Sequence, residues 1–331
     1  MDNLSRVSVI FFGTSDFAVP ALKKLAFDSN YQIKAVITQP DKPAGRKQKL
    51  SASPVKIEAE KLGLKVIQPP HLTSPTRGEE KGGLFPPLDG EGEGGVDIFI
   101  VASYGKIIPK SILKIPKYGV LNIHPSLLPK YRGPSPIQAA ILNGDDETGV
   151  TIMKLDEEMD HGPVVASSKF KVDNSEHGYK KLHDELADMG AGLLVKILPE
   201  YISGKTKPVP QDHSKATFTK IITKTDGRID WKKSAEEIDR QIRAYESWPV
   251  AWTTLDGKRL KIFEAAPADI PAEARTPSLI PGMIRDDNGP VFAFCRKSAI
   301  EIKTLQFEGA KKIPAREFAN GYRGLSGKIL Q

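Results

Sequence analysis

Asn122 and His124 stand two residues apart at the end of an apolar run, and Asp160 lies well downstream in Met159-Asp160-His161-Gly162. Residues two apart on an extended strand point to the same face. A primary amide and an imidazole side by side can both donate to one oxyanion. A carboxylate brought up to the ring would hold it as the imidazolium and help move protons. These are the parts needed for acyl transfer to an amine. The carboxylate must arrive on a separate loop, and Gly162 permits the unusual turn that would aim it. Around the pair, the run Asn122-Ile123-His124-Pro125-Ser126-Leu127-Leu128-Pro129-Lys130-Tyr131-Arg132-Gly133 is too specific in its Pro and Gly spacing to be generic loop.

Other chemistries fit poorly. The six His and one Cys show no metal-ligand spacing, so no metal is expected. There is no G-x-S-x-G elbow and no Walker A loop. Gly90 to Gly95 formally matches G-x-G-x-x-G, but it precedes a strand and carries acidic residues, so it is not a dinucleotide fingerprint.

The elements that must position the trio follow from hydrophobic period. Val7 to Phe12 is a strand, Gly13 to Asp16 a tight turn, and Phe17 to Phe27 amphipathic. Further strands are read at Ile33 to Thr38, Lys65 to Gln68, Val96 to Ala102, Val120 to Ile123 and Val150 to Leu155, with helices at Pro54 to Leu62 and Pro136 to Leu142. A long helical pattern fills Ser175 to Ser203, with a break expected at Gly190 or Gly192. Alternating strands and helices predict an α/β, doubly wound sheet with a crossover at each step. The carboxyl ends of the fourth, fifth and sixth strands then aim Ser103 to Gly105, Asn122 to His124 and Asp156 to Asp160 at one crevice. A helix over Ser234 to Tyr245 and short alternating segments from Ala251 to Gln306 predict a small C-terminal β-barrel. The domains read as 1–203, with a Gly- and Pro-rich low-complexity insertion over 74–95, a linker over 204–221, and a second domain over 222–331.

Composition sets the background. The chain has 331 residues, 39% hydrophobic and 27% charged, which suits a two-domain globular protein. The net charge of +7 is compatible with a polyanionic partner. Lone Cys295, beside Phe294, reads as a core residue, and no targeting or membrane segment is read. A cytoplasmic, monomeric protein without membrane attachment is expected. A basic loop after the second strand carries Lys42, Arg46, Lys47 and Lys49 against Asp41 alone, a composition suited to a phosphate backbone. Lys232, Lys233, Arg240, Arg243, Lys311 and Lys312 add basic groups downstream.

The Asn122 to Gly133 run, with Phe12-Gly13-Thr14, Glu147 to Met153, Met159-Asp160, Arg228-Ile229-Asp230-Trp231 and Trp248-Pro249, resembles the folate-dependent formyltransferases over nearly the whole chain. The basic loop and the Arg-Ile-Asp-Trp element favour the branch acting on initiator methionyl-tRNA. The resemblance implies a Rossmann-like, mostly parallel sheet with a C-terminal OB-like β-barrel that binds tRNA. It implies 10-formyltetrahydrofolate as co-substrate, with Asn122, His124 and Asp160 as the catalytic trio. Ser126, Leu127, Leu128 and Pro129 match the folate-binding run, and the backbone near Tyr104 and Asp156 should face the pterin. Lys42, Arg46, Lys47 and Lys49 would meet the tRNA, with Arg46 matching the arginine that probes the acceptor stem. Two alternatives stay open: another formyl acceptor, such as glycinamide ribonucleotide or an amino-sugar, and a non-catalytic RNA-binding protein on the same fold.

Overall fold

The computed structural model describes residues 6–44, 49–69, 95–269, 280–286, 289–296 and 298–331, with Ala44 and Lys49 described by backbone alone. Residues 74–94 of the expected insertion, and Arg46 and Lys47, lie outside the described residues.

In chain order the amino-terminal elements are β1 (Val7–Gly13), α1 (Val19–Phe27), β2 (Tyr31–Ile37), β3 (Lys42–Ala44), β4 (Lys49–Ser51), α2 (Pro54–Lys61) and β5 (Val66–Ile67). There follow β6 (Ile98–Ala102), α3 (Lys110–Leu113), β7 (Val120–His124), α4 (Pro136–Asn143), β8 (Glu147–Lys154), β9 (Val164–Lys171) and α5 (Tyr179–Ile202). The chain divides into two compact units, one of Met1–Pro134, Glu147–Lys171 and His183–Thr219, the other of Ser135–Asp146, Val172–Leu182 and Lys220–Gln331.

The first unit is built on a seven-stranded sheet in the order β5-β2-β1-β6-β7-β8-β9. Its middle strands read as continuous apolar runs because both faces are covered: Val9 to Phe12 and Ile98 to Ile100 are fully buried. The first five strands in that order pair in parallel, as the α/β pattern predicts. The expected crossover at each step fails at β8. This strand runs antiparallel to β7, with Leu121 beside Lys154 and His124 beside Thr151. The unforeseen β9 then pairs antiparallel with β8. It escapes the sequence reading because it is the edge strand, alternating half-buried and exposed residues with no apolar run.

Helix starts follow their local chemistry. Pro54 opens α2, and the Ser53 hydroxyl caps it by accepting from the Lys56 N–H at 3.1 Å. The break expected in the long helix does not occur: α5 is continuous through Gly190 and Gly192. Packing requires Gly190, since a Cβ there would sit 2.6 Å from Ile123 Cγ2 and 3.2 Å from Val150 Cγ1. The missing side chain lets α5 lie directly against the strands that carry His124 and Thr151.

The second unit contains α6 (Ala235–Ala244), then β10 (Ala251–Leu255), β11 (Lys258–Ala268), β12 (Ile284–Arg285), β13 (Val291–Phe294), β14 (Ala299–Phe307), β15 (Lys312–Pro314) and α7 (Ala315–Gly321). The strands form a curled antiparallel half-barrel sheet ordered β10-β11-β14-β13-β12, with β15 on β14. A capping box starts α6, with Ser234 and Glu237 exchanging backbone and side-chain bonds. Ile238 and Ile242, one turn apart, then face a core with Leu260, Ile300 and Ile302. The Arg228-Ile229-Asp230-Trp231 element anchors this core: Ile229 and Trp231 are buried, and the indole N–H donates to Thr253 Oγ1 at 3.0 Å. Cys295 is buried here too, and burial, helped by the charge of Glu236, pushes its thiol up to about 12.

Gly190→Ala should lower the thermal midpoint. Overpacking against Ile123 and Val150 costs about 1–3 kcal/mol, more than the roughly 1 kcal/mol that alanine returns in helix propensity. An unchanged or raised midpoint would contradict the close approach of α5.

Candidate functional site

The site grows from the carboxyl end of β7. Asn122 and His124 share one face of the strand, and the chain turns sharply after His124. Ser126 N–H donates to the His124 carbonyl at 2.9 Å, and the Ser126 hydroxyl donates to the Lys130 carbonyl at 2.6 Å. Thr151, paired with His124 on β8, donates from its hydroxyl to the Ser126 carbonyl at 2.7 Å and accepts from Leu128 N–H at 3.1 Å. The signature run is therefore a loop closed by its own polar groups, with Leu128 buried beneath it.

That loop returns Tyr131 to the imidazole. His124 Nε2 lies 2.9 Å from the Tyr131 carbonyl oxygen. A carbonyl only accepts, so Nε2 carries the proton and the tautomer is fixed by the backbone. The other ring nitrogen, Nδ1, faces Asp160 Oδ2 at 3.6 Å. This is ion-pair distance, longer than a hydrogen bond. Both side chains are almost wholly withdrawn from water, and little solvent screens their attraction. Asp160 Oδ2 also accepts the Gly133 N–H at 2.7 Å. Gly133 has φ +109°, and a Cβ on it would lie 2.7 Å from the Thr219 carbonyl oxygen, so only glycine offers its N–H to Asp160 in this way.

The antiparallel course of β8 changes how Asp160 arrives. The strand ends beside Leu121, at the far end of β7 from His124. The loop after Lys154 must climb back by about 10 Å, three strand residues. Six residues reach that far easily. Asp160 takes a left-handed φ of +50° on the way, and Asp tolerates that region better than most residues. The Asn122 side chain makes no hydrogen bond to any described residue, so its amide is available to a bound group.

The other sequence-predicted residues are placed differently. The Ser126 hydroxyl is spent on closing the loop, and Leu127 packs where Gly149 leaves room on β8. The Pro129 carbonyl accepts from Thr217 N–H at 3.2 Å. The Tyr104 ring lies in the core edge-on to Phe12, and burial raises its phenol. The Tyr104 carbonyl already accepts from Thr14 Oγ1 at 2.9 Å and Gln39 Nε2 at 2.8 Å. Asp156 binds His161 Nδ1 at 2.7 Å. Lys42 is exposed and donates to Gln39 Oε1, which links the basic loop to the Tyr104 carbonyl. Among the described residues of that loop, β3 pairs antiparallel with β4, with Lys42 on the first strand and Lys49 on the second. In the second unit Arg240 bonds the Leu142 carbonyl and Arg243 pairs with Asp239, so these two cations serve packing. The Tyr131 carbonyl and the Gly133 N–H were invisible to sequence reasoning, since backbone groups carry no residue signature. Among the described residues no group of three or more His, Cys, Asp or Glu could hold a metal, and no helix is long and apolar enough to cross a membrane.

Comparison with known proteins agrees in both units. The formyl transferase family model matches residues 5–198, and the formyl transferase C-terminal domain model matches residues 221–323. The chain is 40% identical to the methionyl-tRNA formyltransferase of Lachnospira eligens, over 97% of this chain and 99% of that one. Among solved structures it is similar in fold to the N-formyltransferase of Helicobacter canadensis in complex with folinic acid and dTDP-3-aminofucose, at 20% identity, TM-score 0.62, covering 93% of this chain and 100% of that one. It is also similar to a HypX variant from Aquifex aeolicus, at 20% identity and TM-score 0.61; 97% of this chain covers 50% of that longer one.

Thr151→Val keeps the shape of a fully buried side chain but strands the Ser126 carbonyl and Leu128 N–H. The cost should be about 1–3 kcal/mol, read as a lower thermal midpoint. A midpoint equal to the parent's would mean Thr151 does not hold the loop.

Proposed function

We propose a course of reaction from one premise: the chain belongs to the formyl transferase family. It transfers a formyl group from 10-formyltetrahydrofolate to the α-amino group of methionine on initiator tRNA. The folate supplies the formyl carbon, which the neutral methionine amine attacks. Asn122 donates from its side-chain amide to the oxygen that becomes negative. His124 keeps Nε2–H on the Tyr131 carbonyl and presents Nδ1 to the reacting groups. Asp160 stabilises the charge when Nδ1 is protonated and passes protons between amine and ring. The amine loses a proton, the bond from formyl carbon to N10 breaks, and N10 takes up a proton as tetrahydrofolate leaves. One observation supports this assignment above the rest: His124 Nδ1 faces Asp160 at 3.6 Å while its other nitrogen is tied to a carbonyl.

Ser126 to Pro129 and the loops of Tyr104 and Asp156 flank the same end of the sheet and are assigned to the folate. Because the Ser126 hydroxyl and the Tyr104 carbonyl are already bonded, they act here by shaping the loops. Lys42 on β3 and Lys49 on β4, with Arg46 and Lys47 between them in sequence, are assigned to the acceptor end of the tRNA, and the exposed Lys232, Lys311 and Lys312 of the second unit to its phosphates.

Asn122→Ala should lower kcat by roughly 10²–10³ as the loss of an oxyanion donor, and His124→Ala by roughly 10²–10⁴ as the loss of the proton-transfer group, measured with formyl donor and charged initiator tRNA. Near-normal turnover in both would remove the pair from the chemistry. Raising salt should depress kcat/KM steeply, with log affinity falling by about 0.7–0.9 per phosphate contact for each decade of salt. Arg46→Ala should flatten that slope. A salt-independent rate would point instead to a small amine acceptor.

A further inference from the structure

We propose that Gln211, locked in place by the buried Arg132, is the positioning residue that sets Asp160 for formyl transfer. This rests on the reading of Asp160 given above. Arg132 is 4% exposed. A guanidinium so deep normally meets a carboxylate, yet no ion pair holds Arg132 among the described residues. Its donors go elsewhere. Nε and one terminal nitrogen reach Gln211 Oε1 at 3.1 and 2.8 Å, and that terminal nitrogen also reaches His213 Nδ1 at 2.7 Å. Phe218 lies with its ring centroid 5.9 Å from the guanidinium carbon.

A guanidinium can only donate, so two donors on one atom identify that atom as the amide oxygen of Gln211. The amide nitrogen is thereby turned the other way. Nε2 donates to the Asp160 carbonyl at 2.9 Å and to the Gly162 carbonyl at 2.7 Å. Each amide proton takes one carbonyl, and the two carbonyls bracket His161. Two residues on, His213 stacks flat on His161 with centroids 4.1 Å apart and planes at 2°. His161 is itself bonded to Asp156. One short stretch, Gln211 to His213, therefore grips the whole loop that carries Asp160.

The grip has a job because Asp160 is in the left-handed region, at φ +50°. A residue with a side chain pays about 1–2 kcal/mol to stay there. Released, the loop relaxes and the carboxylate leaves both the Gly133 N–H and the imidazole. A misplacement of about 1 Å at a reacting centre can cost on the order of 10² in rate. The hydrogen bonds of the Gln211 side chain go to Arg132 and to the Asp160 and Gly162 carbonyls, so it acts through the backbone of Asp160.

Gln211→Glu separates this role from support of the fold. The carboxylate still accepts from Arg132, now as an ion pair, but both N–H donors are gone. Four proteins are compared with formyl donor and charged tRNA: the parent, Asp160→Asn, Gln211→Glu and the double variant. Expected are a kcat at least tenfold lower for Gln211→Glu, on the order of the misplacement cost, KM values for both substrates within about threefold of the parent, and a double variant no slower than Asp160→Asn by more than about twofold, since residues acting as one unit do not add. Multiplying losses, a rise in KM with kcat kept, or normal kcat in Gln211→Glu beside a slow Asp160→Asn would overturn this proposal alone. A normal Asp160→Asn would overturn the Asp160 reading and this one with it. Should the Glu variant not fold, Gln211→Met, which keeps length and loses the donors, is judged by the same comparisons.

Discussion

The imidazole of His124 sits between a backbone carbonyl and a carboxylate, and the first unit is arranged to keep it there. The carbonyl fixes one ring nitrogen as a donor; the other faces the Asp160 carboxylate. Taking a carboxylate and an imidazole ring out of water is costly unless hydrogen bonds replace the solvent. Here they do. Gly133 N–H donates to Asp160, and the Tyr131 carbonyl accepts from the ring. Both groups come from the same loop, so the turn after β7 supplies the immediate surroundings of its own histidine.

That arrangement explains where backbone strain is tolerated. Five described residues other than glycine have positive φ, and three of them are Ser103, Tyr131 and Asp160. Ser103 directly follows β6, Tyr131 belongs to the turn after β7, and Asp160 to the loop after β8. Each is held by hydrogen bonds from outside its own loop. Thr14 N–H reaches the Ser103 carbonyl at 3.2 Å, and Tyr131 N–H reaches Thr217 Oγ1 at 2.8 Å. Strain persists where neighbours over-determine it, and such residues gather at functional loops. The sheet itself is the rigid part: its central strands are buried on both faces and carry no irregularity near His124.

Much of this was legible in the residues. The period of two along β7 put Asn122 and His124 on one face, and the Met159 to Gly162 segment announced a carboxylate on a turn. The apolar runs gave the parallel strands because burial on both faces writes itself into composition. Three things were not legible. The reversal of β8 leaves no mark, because a buried antiparallel strand such as Val150 to Met153 is as apolar as a parallel one. Gly190 reads as a helix breaker when only propensity is considered, and only the contact with Ile123 and Val150 reveals its use. The stretch 204–221 reads as a polar connection, yet Thr217 and Thr219 bond the backbone of Arg132, and Val209 pairs with Val164. Polar residues satisfying another loop's backbone look, in sequence, like residues facing water.

The division of polar groups around His124 argues for which of them do chemistry. The Ser126 and Thr151 hydroxyls and the Tyr131 carbonyl all have internal partners, and moving any of them would leave a buried polar group unpaired at a cost of about 1–3 kcal/mol. Groups so committed hold geometry and have no capacity left for a reacting atom. Asn122 is different: its amide lies on the same strand face as the imidazole and is bonded to no described residue. The half-buried amide stays reachable by solvent or by a bound molecule, whereas Leu or Val there would offer no donor at all. Its place beside His124 makes sense when another molecule brings the acceptor, and an oxygen gaining negative charge is the acceptor that rewards such a donor most.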